Sequence, residues 1–218
     1  MGVPAFFKLM PEMSHYYAMK NEYQAITADG SNVQVSTVQW DVKDGERFDI
    51  GYFDEEGKKS PCPVIIHASS FGSIERTLCG MLESIAISAQ TGGEPAYPAW
   101  LATTQVRIVP VSDDEIPFAQ EICDRILATD IRADIDDREE TVGKKIRNAE
   151  RDWVPYTLVV GPRERETGVF SVRRREERDQ VSSDLDGILT ELGRKVDSMP
   201  RRKLSLPPKL GERPIFYG

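Results

Sequence analysis

The sequence is poor in cysteine and histidine, which limits the disulfide and metal chemistry that it can support. It has three cysteines, Cys62, Cys79 and Cys123, and two histidines among 218 residues. Three is an odd number, and the cysteine spacings match no disulfide or zinc framework. This cysteine usage favours a reducing compartment, so we expect a cytoplasmic location.

Long apolar runs and an excess of basic residues are also missing. No stretch approaches the roughly 20 apolar residues of a membrane span, so no membrane association is expected. The first residues lack the basic segment and the cleavage site of a signal peptide. The net charge is −8, from 28 Lys and Arg against 36 Asp and Glu. This balance argues against unspecific coating of nucleic acid but leaves room for a local basic patch.

Two kinds of hydrophobic periodicity divide the chain. Residues 22–66 alternate with a period of two between glycine-containing turns, which predicts an antiparallel meander. From Gly72 the spacing becomes helical and fades near Gln90. Residues 91–95 contain two glycines and a proline and predict a linker. The predicted strands are residues 23–27, 32–40, 48–53 and 64–67, with a hairpin turn at 55–58.

Beyond the linker, strands and helices alternate, which favours a mixed or parallel sheet covered by helices. Ser112 to Glu115 fits a capping box before the first of these helices. Residues 200–218, with three prolines after Ser205, predict an extended strap. The predicted strands are residues 105–111, 131–135, 156–160 and 169–172, and two predicted helices span residues 141–152 and 182–199. The predicted helix after the capping box buries Ile116, Ala119, Ile122, Cys123 and Ile126.

Gly72-Ser73-Ile74-Glu75-Arg76 opens the first long helix and is a candidate phosphate site. A helix N-terminus offers free N–H groups and a partial positive charge. Arg76, one turn in, can stack on a purine or form paired bonds to a phosphate. The alternative is a capped surface helix with Ser73 near the cap.

Three polar residues on the preceding strands are further candidates. His67 ends a strand and is either a satisfied core residue or a ligand; one histidine does not make a zinc site, which needs three or four ligands. Gln34 and Gln39 lie inside an apolar strand and indicate either a polar ligand or an edge strand with one wet face. Their odd spacing puts them on opposite faces of a regular strand, unless a bulge occurs at Ser36 or Thr37.

A cluster of basic residues in the second half is a candidate surface for RNA. Arginine suits stacking and paired hydrogen bonds with loop bases, and each neutralised phosphate adds affinity. The alternative is a solvated face paired internally with Glu139, Glu140, Glu164 and Glu166. The cluster comprises Arg138, Lys144, Lys145, Arg147, Arg151, Arg163, Arg165, Arg173, Arg174 and Arg175.

Four segments together resemble one enzyme family. VQVSTVQWD, VIIHASSFGSIER, YPAWLATTQVRIVPV and DDREETVGKKIRNAERDWVPYTLVVG occur in this order. The sequence resembles an archaeal-type threonyl-tRNA synthetase, a class II enzyme, over nearly the whole chain. The resemblance implies an α/β and α+β chain in three parts. They are the C-terminal part of a catalytic domain with motif 3 and a partial antiparallel sheet (residues 1–92), an α/β anticodon-binding domain with a mixed sheet and three helices (98–200), and a tail (201–218).

The resemblance also implies roles for particular residues. Family enzymes activate threonine with ATP and Mg²⁺ and transfer it to tRNA(Thr). Gln34, Ser73 and Arg76 match positions that hold ATP, with Arg76 the catalytic motif 3 arginine. Tyr17 and Gln39 match positions around threonine, and His67 matches one Zn²⁺ ligand. The implied anticodon-binding residues are Arg138, Glu139, Lys145, Arg147, Glu164 and Arg173.

Departures from the family pattern define two hypotheses. Motifs 1 and 2 are absent, and Cys62, Cys79 and His15 do not match the other zinc ligands. The first hypothesis is a portion of a threonine–tRNA ligase, inactive and zinc-free alone. Its partners are then tRNA(Thr), threonine and the remainder of the synthetase, and the family's homodimer interface is missing. The second is a stand-alone, non-catalytic tRNA-binding module acting in trans, which has no need for Gln34 or Arg76.

Overall fold

A computed structural model describes residues 5–214, and the chain forms two compact units that divide between Ile87 and Ser88. Each unit has its own sheet system. No helix among the described residues is long and apolar enough to cross a membrane.

The first unit is built on a three-stranded antiparallel sheet in the order β1-β2-β5. A separate hairpin of β3 and β4 lies between β2 and β5 in the chain, and a long helix follows β5. The elements are β1 (Tyr17–Ile26), β2 (Asn32–Asp41), α1 (Asp44–Arg47), β3 (Gly51–Phe53), β4 (Lys59–Pro61), β5 (Ile65–Ser69) and α2 (Ile74–Gln90).

The predicted meander is therefore wrong in its connectivity, because β2 pairs with β5 and not with the strand that follows it. The cause is a turn at the end of β2. The Asp41 carboxylate accepts hydrogen bonds from the backbone N–H groups of Lys43 and Asp44, each at 2.9 Å. These bonds turn the chain into α1. The predicted hairpin turn is confirmed: the Asp54 N–H donates to the Lys58 carbonyl, and Gly57 has a φ of +77°.

Apolar side chains of the first unit are poorly covered. Among residues 5–87, the buried positions are Thr27, Asp41 and Gly45. The buried hydrophobic residues of the chain run from Ala102 to Val196. The first unit thus exposes apolar surface of the kind that proteins bury against a partner or another domain.

The second unit is a five-stranded mixed sheet in the order β10-β9-β8-β6-β7, which confirms the prediction of a mixed sheet. Strands β7, β6 and β8 are parallel, and β9 and β10 run antiparallel to their neighbours. The elements are β6 (Val106–Pro110), a 3-10 turn (Asp113–Glu115), α3 (Ile116–Leu127), β7 (Ala133–Ile135), α4 (Val142–Arg151), β8 (Tyr156–Val160), α5 (Pro162–Thr167), β9 (Val169–Arg174), β10 (Asp179–Asp184), α6 (Leu185–Lys195) and a 3-10 turn (Leu210–Glu212).

Three local predictions in this unit are corrected. A fourth helix, α5, spans Pro162–Thr167 and is followed by Gly168, whose φ is +68°. Residues 182–184, predicted as helix, pair with β9 instead, and α6 ends at Lys195. The capping box does not form: Ser112 makes no side-chain cap, and the buried Glu115 is directed to Arg165, with a closest distance of 3.4 Å.

The two faces of this sheet differ in chemistry. One face packs against α3 and α6 and supplies the apolar core, which includes Ile108, Leu158 and Ile188. Strand alternation puts the intervening residues on the other face. There Asp134, Arg107, Thr157 and Arg173 lie opposite one another in register across β7, β6, β8 and β9. Helix α4 packs on β6 and is joined to this charged row through Asp152.

Candidate nucleic-acid interface and nucleotide-site residues

The charged row is held together by Arg107, which is only 3% exposed. Its Nε and Nη2 donate to the two carboxylate oxygens of Asp134, at 2.9 and 3.0 Å, and its Nη1 donates to Asp152 at 2.5 Å. Burial alone lowers the pKa of a guanidinium, but the bonds to Asp134 and Asp152 outweigh it and raise the pKa of Arg107. Arg107 is thus a fixed cation that ties the end of α4 to the sheet.

Two of the predicted RNA-binding residues lie on helix α4 and differ in their exposure to solvent. Thr141 caps the helix by accepting the Lys144 N–H. Lys145 and Ala149, four residues apart, are on the buried side, and Lys145 is only 5% exposed. No carboxylate among residues 5–214 pairs with the Lys145 ammonium. Arg147 is exposed, also without an ion pair to any described residue. The Lys145 ammonium and the Arg147 guanidinium are thus cations that no described carboxylate neutralises, so both are available to an anionic ligand.

The loop from β7 to α4 carries Arg138 and Glu139. Arg138 donates from Nε and Nη2 to the two oxygens of Asp136, at 2.8 and 2.7 Å. Asp136 is fully buried. Burial raises the pKa of its carboxyl, but the Arg138 guanidinium has the larger, opposite effect, so the pKa lies below its ordinary value. Asp136 therefore fixes the Arg138 fork, while Glu139 is exposed.

The remaining two predicted anticodon-binding residues come from other elements. Arg173 of β9 lies 3.8 Å from Glu150 of α4, with its side chain 44% exposed. Glu164 lies on α5, and no hydrogen bond or ion pair among the described residues joins its side chain to the other five. The structure thus brings Arg138, Glu139, Lys145, Arg147 and Arg173 to α4 and its surroundings and leaves Glu164 on a separate helix.

Part of the predicted basic cluster serves the fold instead. Arg174 is bound by Asp179 and Glu191. Arg175 donates to the carbonyls of Pro95 and Glu150, at 2.7 and 2.6 Å, and its guanidinium lies 5.6 Å from the Trp153 ring centre. Among the four glutamates predicted as internal partners, Glu140 pairs with Lys144 at 3.0 Å. Internal pairing occurs, but largely through acids that the sequence did not single out.

In the first unit, a β-bulge gathers the polar strand residues on one face. Tyr23 pairs with Ser36 and Gln24 with Gln34, so Val35 is an extra residue in β2. Gln34, Thr37 and Gln39 pair with Gln24, Glu22 and Lys20, which are alternate residues of β1. Because alternate residues of a strand share a face, and paired residues do too, Gln34, Thr37 and Gln39 lie on the same face. The bulge predicted at Ser36 or Thr37 therefore exists, one position earlier.

The neighbouring strands β1 and β5 each contribute a residue to this polar face, opposite a residue of β2. His67 pairs with Gln39, and Tyr17 pairs with Asp41. The Tyr16 hydroxyl donates to Gln39 Oε1 at 2.6 Å. Sequence reasoning missed Thr37, whose buried hydroxyl has no hydrogen-bond partner among the described residues. Once Val35 is counted as a bulge, the polar residues of β2 on one face are Gln34, Thr37 and Gln39, and this pattern identifies Thr37.

Ser73 and Arg76 lie at the start of α2. The Gly72 N–H donates to the Ser69 hydroxyl at 3.0 Å, and the Arg76 N–H donates to the Ser73 hydroxyl at 3.3 Å. Ser73 therefore caps the helix, as the alternative interpretation expected. The Arg76 side chain has no ion pair with a described residue, so the cap and a ligand-binding role for Arg76 are compatible.

His67, the predicted metal ligand, has a carboxylate partner. His67 Nε2 lies 2.8 Å from Asp41 Oδ2, and Asp41 is 1% exposed. Ligand atoms of Asp41, Asp44 and His67 lie within 4.8 Å of one another. His15 instead stacks on Tyr17, 5.0 Å between ring centres. The cysteine and second histidine of the family's zinc site are not supplied around His67 by the described residues, so no chemistry is assigned to a metal here.

Comparisons with known proteins agree with the resemblance. The model of the family described as "Anticodon binding domain" matches residues 105–195. The threonine–tRNA ligase of Methanobrevibacter smithii is 44% identical over 215 residues, which are 99% of this chain and 35% of the relative. That of Thermococcus sibiricus is 38% identical over 217 residues, 100% of this chain and 35% of the relative.

A solved structure gives the same result for the fold. The RNA binding domain of threonyl-tRNA synthetase from Cryptosporidium parvum Iowa II matches with a TM-score of 0.65 and 26% identity. The matched region covers 87% of this chain and 45% of the Cryptosporidium chain. The chain spans about a third of the length of the curated relatives it matches.

Proposed function

Because this chain belongs with the threonyl-tRNA synthetases and residues 105–195 match an anticodon-binding domain, we propose that its second unit reads the anticodon loop of tRNA(Thr). The observation that carries the proposal is Lys145 of α4, whose ammonium has no carboxylate partner among the described residues. An RNA phosphate or base oxygen supplies the missing partner. Arg147 and Arg173 then contact the unstacked bases of the loop, a mode in which arginine is effective.

The buried charged residues of this surface hold its structure, and the exposed ones contact RNA. Arg107 and Asp136 are buried and hold α4 and Arg138 in place. Glu139 and Glu164 accept hydrogen bonds from base amino groups and so select among bases, since carboxylates repel phosphate. A surface with both signs of charge suits base reading better than unspecific attachment.

We further propose that the first unit serves the aminoacylation reaction of a threonine–tRNA ligase. Gln34, Ser73 and Arg76 contact ATP and its Mg²⁺-bound phosphates, and Arg76 provides electrostatic positioning for in-line attack on the α-phosphate. Tyr17 and Gln39 contact threonine. His67, oriented by Asp41, would supply a single ligand to a Zn²⁺ site that the described residues leave incomplete.

The proposed partners follow from this assignment. They are tRNA(Thr), threonine, the remainder of a synthetase and a second copy of it, in the cytoplasm. A stand-alone tRNA-binding module is not favoured, because the similarity to threonine–tRNA ligases extends through both units. On this proposal residues 1–92 are the end of the catalytic domain, residues 98–200 the anticodon-binding domain and residues 201–218 a tail.

Anticodon reading is tested by measuring the affinity of the chain for tRNA(Thr) and for the same tRNA with a swapped anticodon, at two salt concentrations. We expect tighter binding of the cognate anticodon at both. Arg147→Ala should weaken cognate binding by about 1–3 kcal/mol if Arg147 contacts a base. Arg194→Ala removes the same charge from an exposed position on α6 and should leave the anticodon preference unchanged. Equal binding of both tRNAs would refute the proposal.

A further inference from the structure

The C-terminal strap, residues 200–214, is bound to the edge of the sheet that leads into α4. The Ile135 N–H donates to the Pro208 carbonyl at 2.9 Å, and Lys209 forms a parallel bridge with Ile135. The strap thus adds backbone pairing to β7, which is otherwise an edge strand. Edge strands with open hydrogen-bonding groups are prone to unwanted pairing or fraying, and this contact removes part of that exposure.

The strap also contacts the loop after β7. The Gly211 N–H donates to Asp137 Oδ1 at 2.7 Å. A Cβ at position 211 would lie 3.1 and 3.2 Å from the two oxygens of Asp137, which is a tight contact. Glycine at 211 therefore allows the strap backbone to approach the carboxylate without displacing it.

Arg213 attaches the strap to the buried charge network. Its Nη2 lies 3.0 Å from Asp134 Oδ2, and its Nε donates to the Pro207 carbonyl at 2.9 Å. Asp134 is fully buried and also accepts both bonds from Arg107. Since Arg107 binds Asp152 at the end of α4, the strap is linked to both ends of the loop–helix segment that follows β7.

We propose that the C-terminal strap is a positioning element for anticodon reading, because it fixes the residues that present Arg138 and Glu139. Strap residues bind Asp134, Ile135 and Asp137, and the residue between them, Asp136, holds Arg138. A loop that is already ordered loses less conformational entropy when RNA binds. The inference rests on the proposed function of this surface. The strap acts by fixing the loop after β7 and does not itself contact RNA.

Asp137 offers a test in which charge and position have opposite effects. Asp137→Ala removes the acceptor for Gly211, whereas Asp137→Asn keeps an amide oxygen that accepts the same bond. Removing a negative charge near RNA strengthens binding electrostatically, while loss of positioning weakens it. We expect Asp137→Ala to weaken cognate tRNA binding by roughly 2- to 10-fold, the range of one hydrogen bond, with Asp137→Asn close to the parent.

A second pair of variants tests the strap side of the contact. Gly211→Ala pushes a methyl group against the Asp137 carboxylate and should weaken binding in the same way. Gly193→Ala, on α6 with nothing within 4 Å of its new Cβ, is the matched control and should bind as the parent. Backbone amides of the loop should exchange hydrogen faster in Asp137→Ala and Gly211→Ala than in the control. The salt dependence of binding should be unchanged, since no phosphate contact is lost.

The outcomes separate this inference from the proposed function. Equal or tighter cognate binding by Asp137→Ala, with Arg147→Ala still weakened, would overturn the role of the strap and leave anticodon reading intact. Equal binding of the cognate and the swapped-anticodon tRNA by the parent chain would overturn both. Weakened binding by Asp137→Ala that Asp137→Asn restores supports the strap as a positioning element.

Discussion

Arg107 and Asp134 face each other on adjacent parallel strands and are joined by two hydrogen bonds, at 2.9 and 3.0 Å, in a nearly solvent-free position. The same carboxylate lies 3.0 Å from Arg213, and the same guanidinium binds Asp152. One buried ion pair therefore connects two strands, the end of α4 and the C-terminal strap.

Truncation of Arg107 should be strongly destabilising. Arg107→Ala leaves Asp134 buried with fewer partners, and breaking a buried pair costs about 3–5 kcal/mol. The measurement is the free energy of unfolding from urea denaturation. Arg151→Ala, at an exposed position of α4, should change it by less than about 0.5 kcal/mol. A loss below about 1 kcal/mol for Arg107→Ala would show that the network tolerates its removal.

Neighbouring arginines on β9 should have separable effects. Arg173 is half-exposed on the charged face, whereas Arg174 is bound by Asp179 and Glu191 on the opposite face. Arg173→Ala should weaken binding of cognate tRNA by about 1–3 kcal/mol if it reads a base, with little change in stability. Arg174→Ala should lower the melting temperature and leave the affinity of the folded protein unchanged. The reverse pattern would mean that the faces are misassigned.

Acid should release the turn at the end of β2. Burial raises the pKa of Asp41, but hydrogen bonds from the Asp44 and Lys43 backbone and from His67 overcome it and lower the pKa from 3.8 to about 2. A lowered carboxyl pKa stabilises the fold above the ordinary pKa, and the stabilisation is lost as the pH falls from about 4 towards 2.

The amide resonance of Lys43 in NMR spectra follows this transition, whereas that of Asp44 also responds to its own carboxyl, whose pKa is raised by burial and by Asp41. The Lys43 resonance should shift between pH 4 and 2 in the parent chain. In Asp41→Asn, which cannot ionise, the Lys43 resonance should not shift over this interval on account of position 41. Movement centred near the ordinary carboxyl pKa in the parent chain would contradict the assignment.

The three cysteines should differ in reactivity. Cys123 is fully buried in the core, and burial raises the pKa of its thiol to about 12. Cys62 and Cys79 are partly exposed. Because the thiolate is the reactive form, iodoacetamide at pH 8 should label Cys62 and Cys79 in the native protein and Cys123 only after denaturation. Mass spectrometry of the labelled peptides gives the result, and native labelling of Cys123 would indicate that the core opens.

Sequence patterns predict the secondary structure correctly where it depends on local residues alone. The α2 helix and strands β6 and β8 follow from apolar periodicity and hydrophobic runs, and the turn at Gly57 follows from its composition. The mixed sheet follows from the alternation of strands and helices. The family resemblance named the candidate site residues, most of which the structure places around α4 and on one face of β2.

Long-range pairing explains what the sequence patterns missed. Strand β10 is polar, and it forms because β9 is available to pair with it. Arg175 looked like part of an RNA surface, but Glu94 and Pro95, some 80 residues away, bind it. The Asp41–His67 contact joins residues 26 positions apart on different strands. Such partners are fixed by tertiary structure and leave no local signal.

The bulge at Val35 has a consequence for how β2 tolerates change. Its extra residue is the reason that Gln34 lies on the same face as Thr37 and Gln39. Insertion of one residue between Tyr23 and Gln24 of β1 would give Val35 a partner, restore a regular ladder and turn Gln34 to the side of α2, although every functional residue would still be present in the sequence. The spacing between the proposed ATP and threonine contacts is thus as much a determinant of the site as the identity of the side chains.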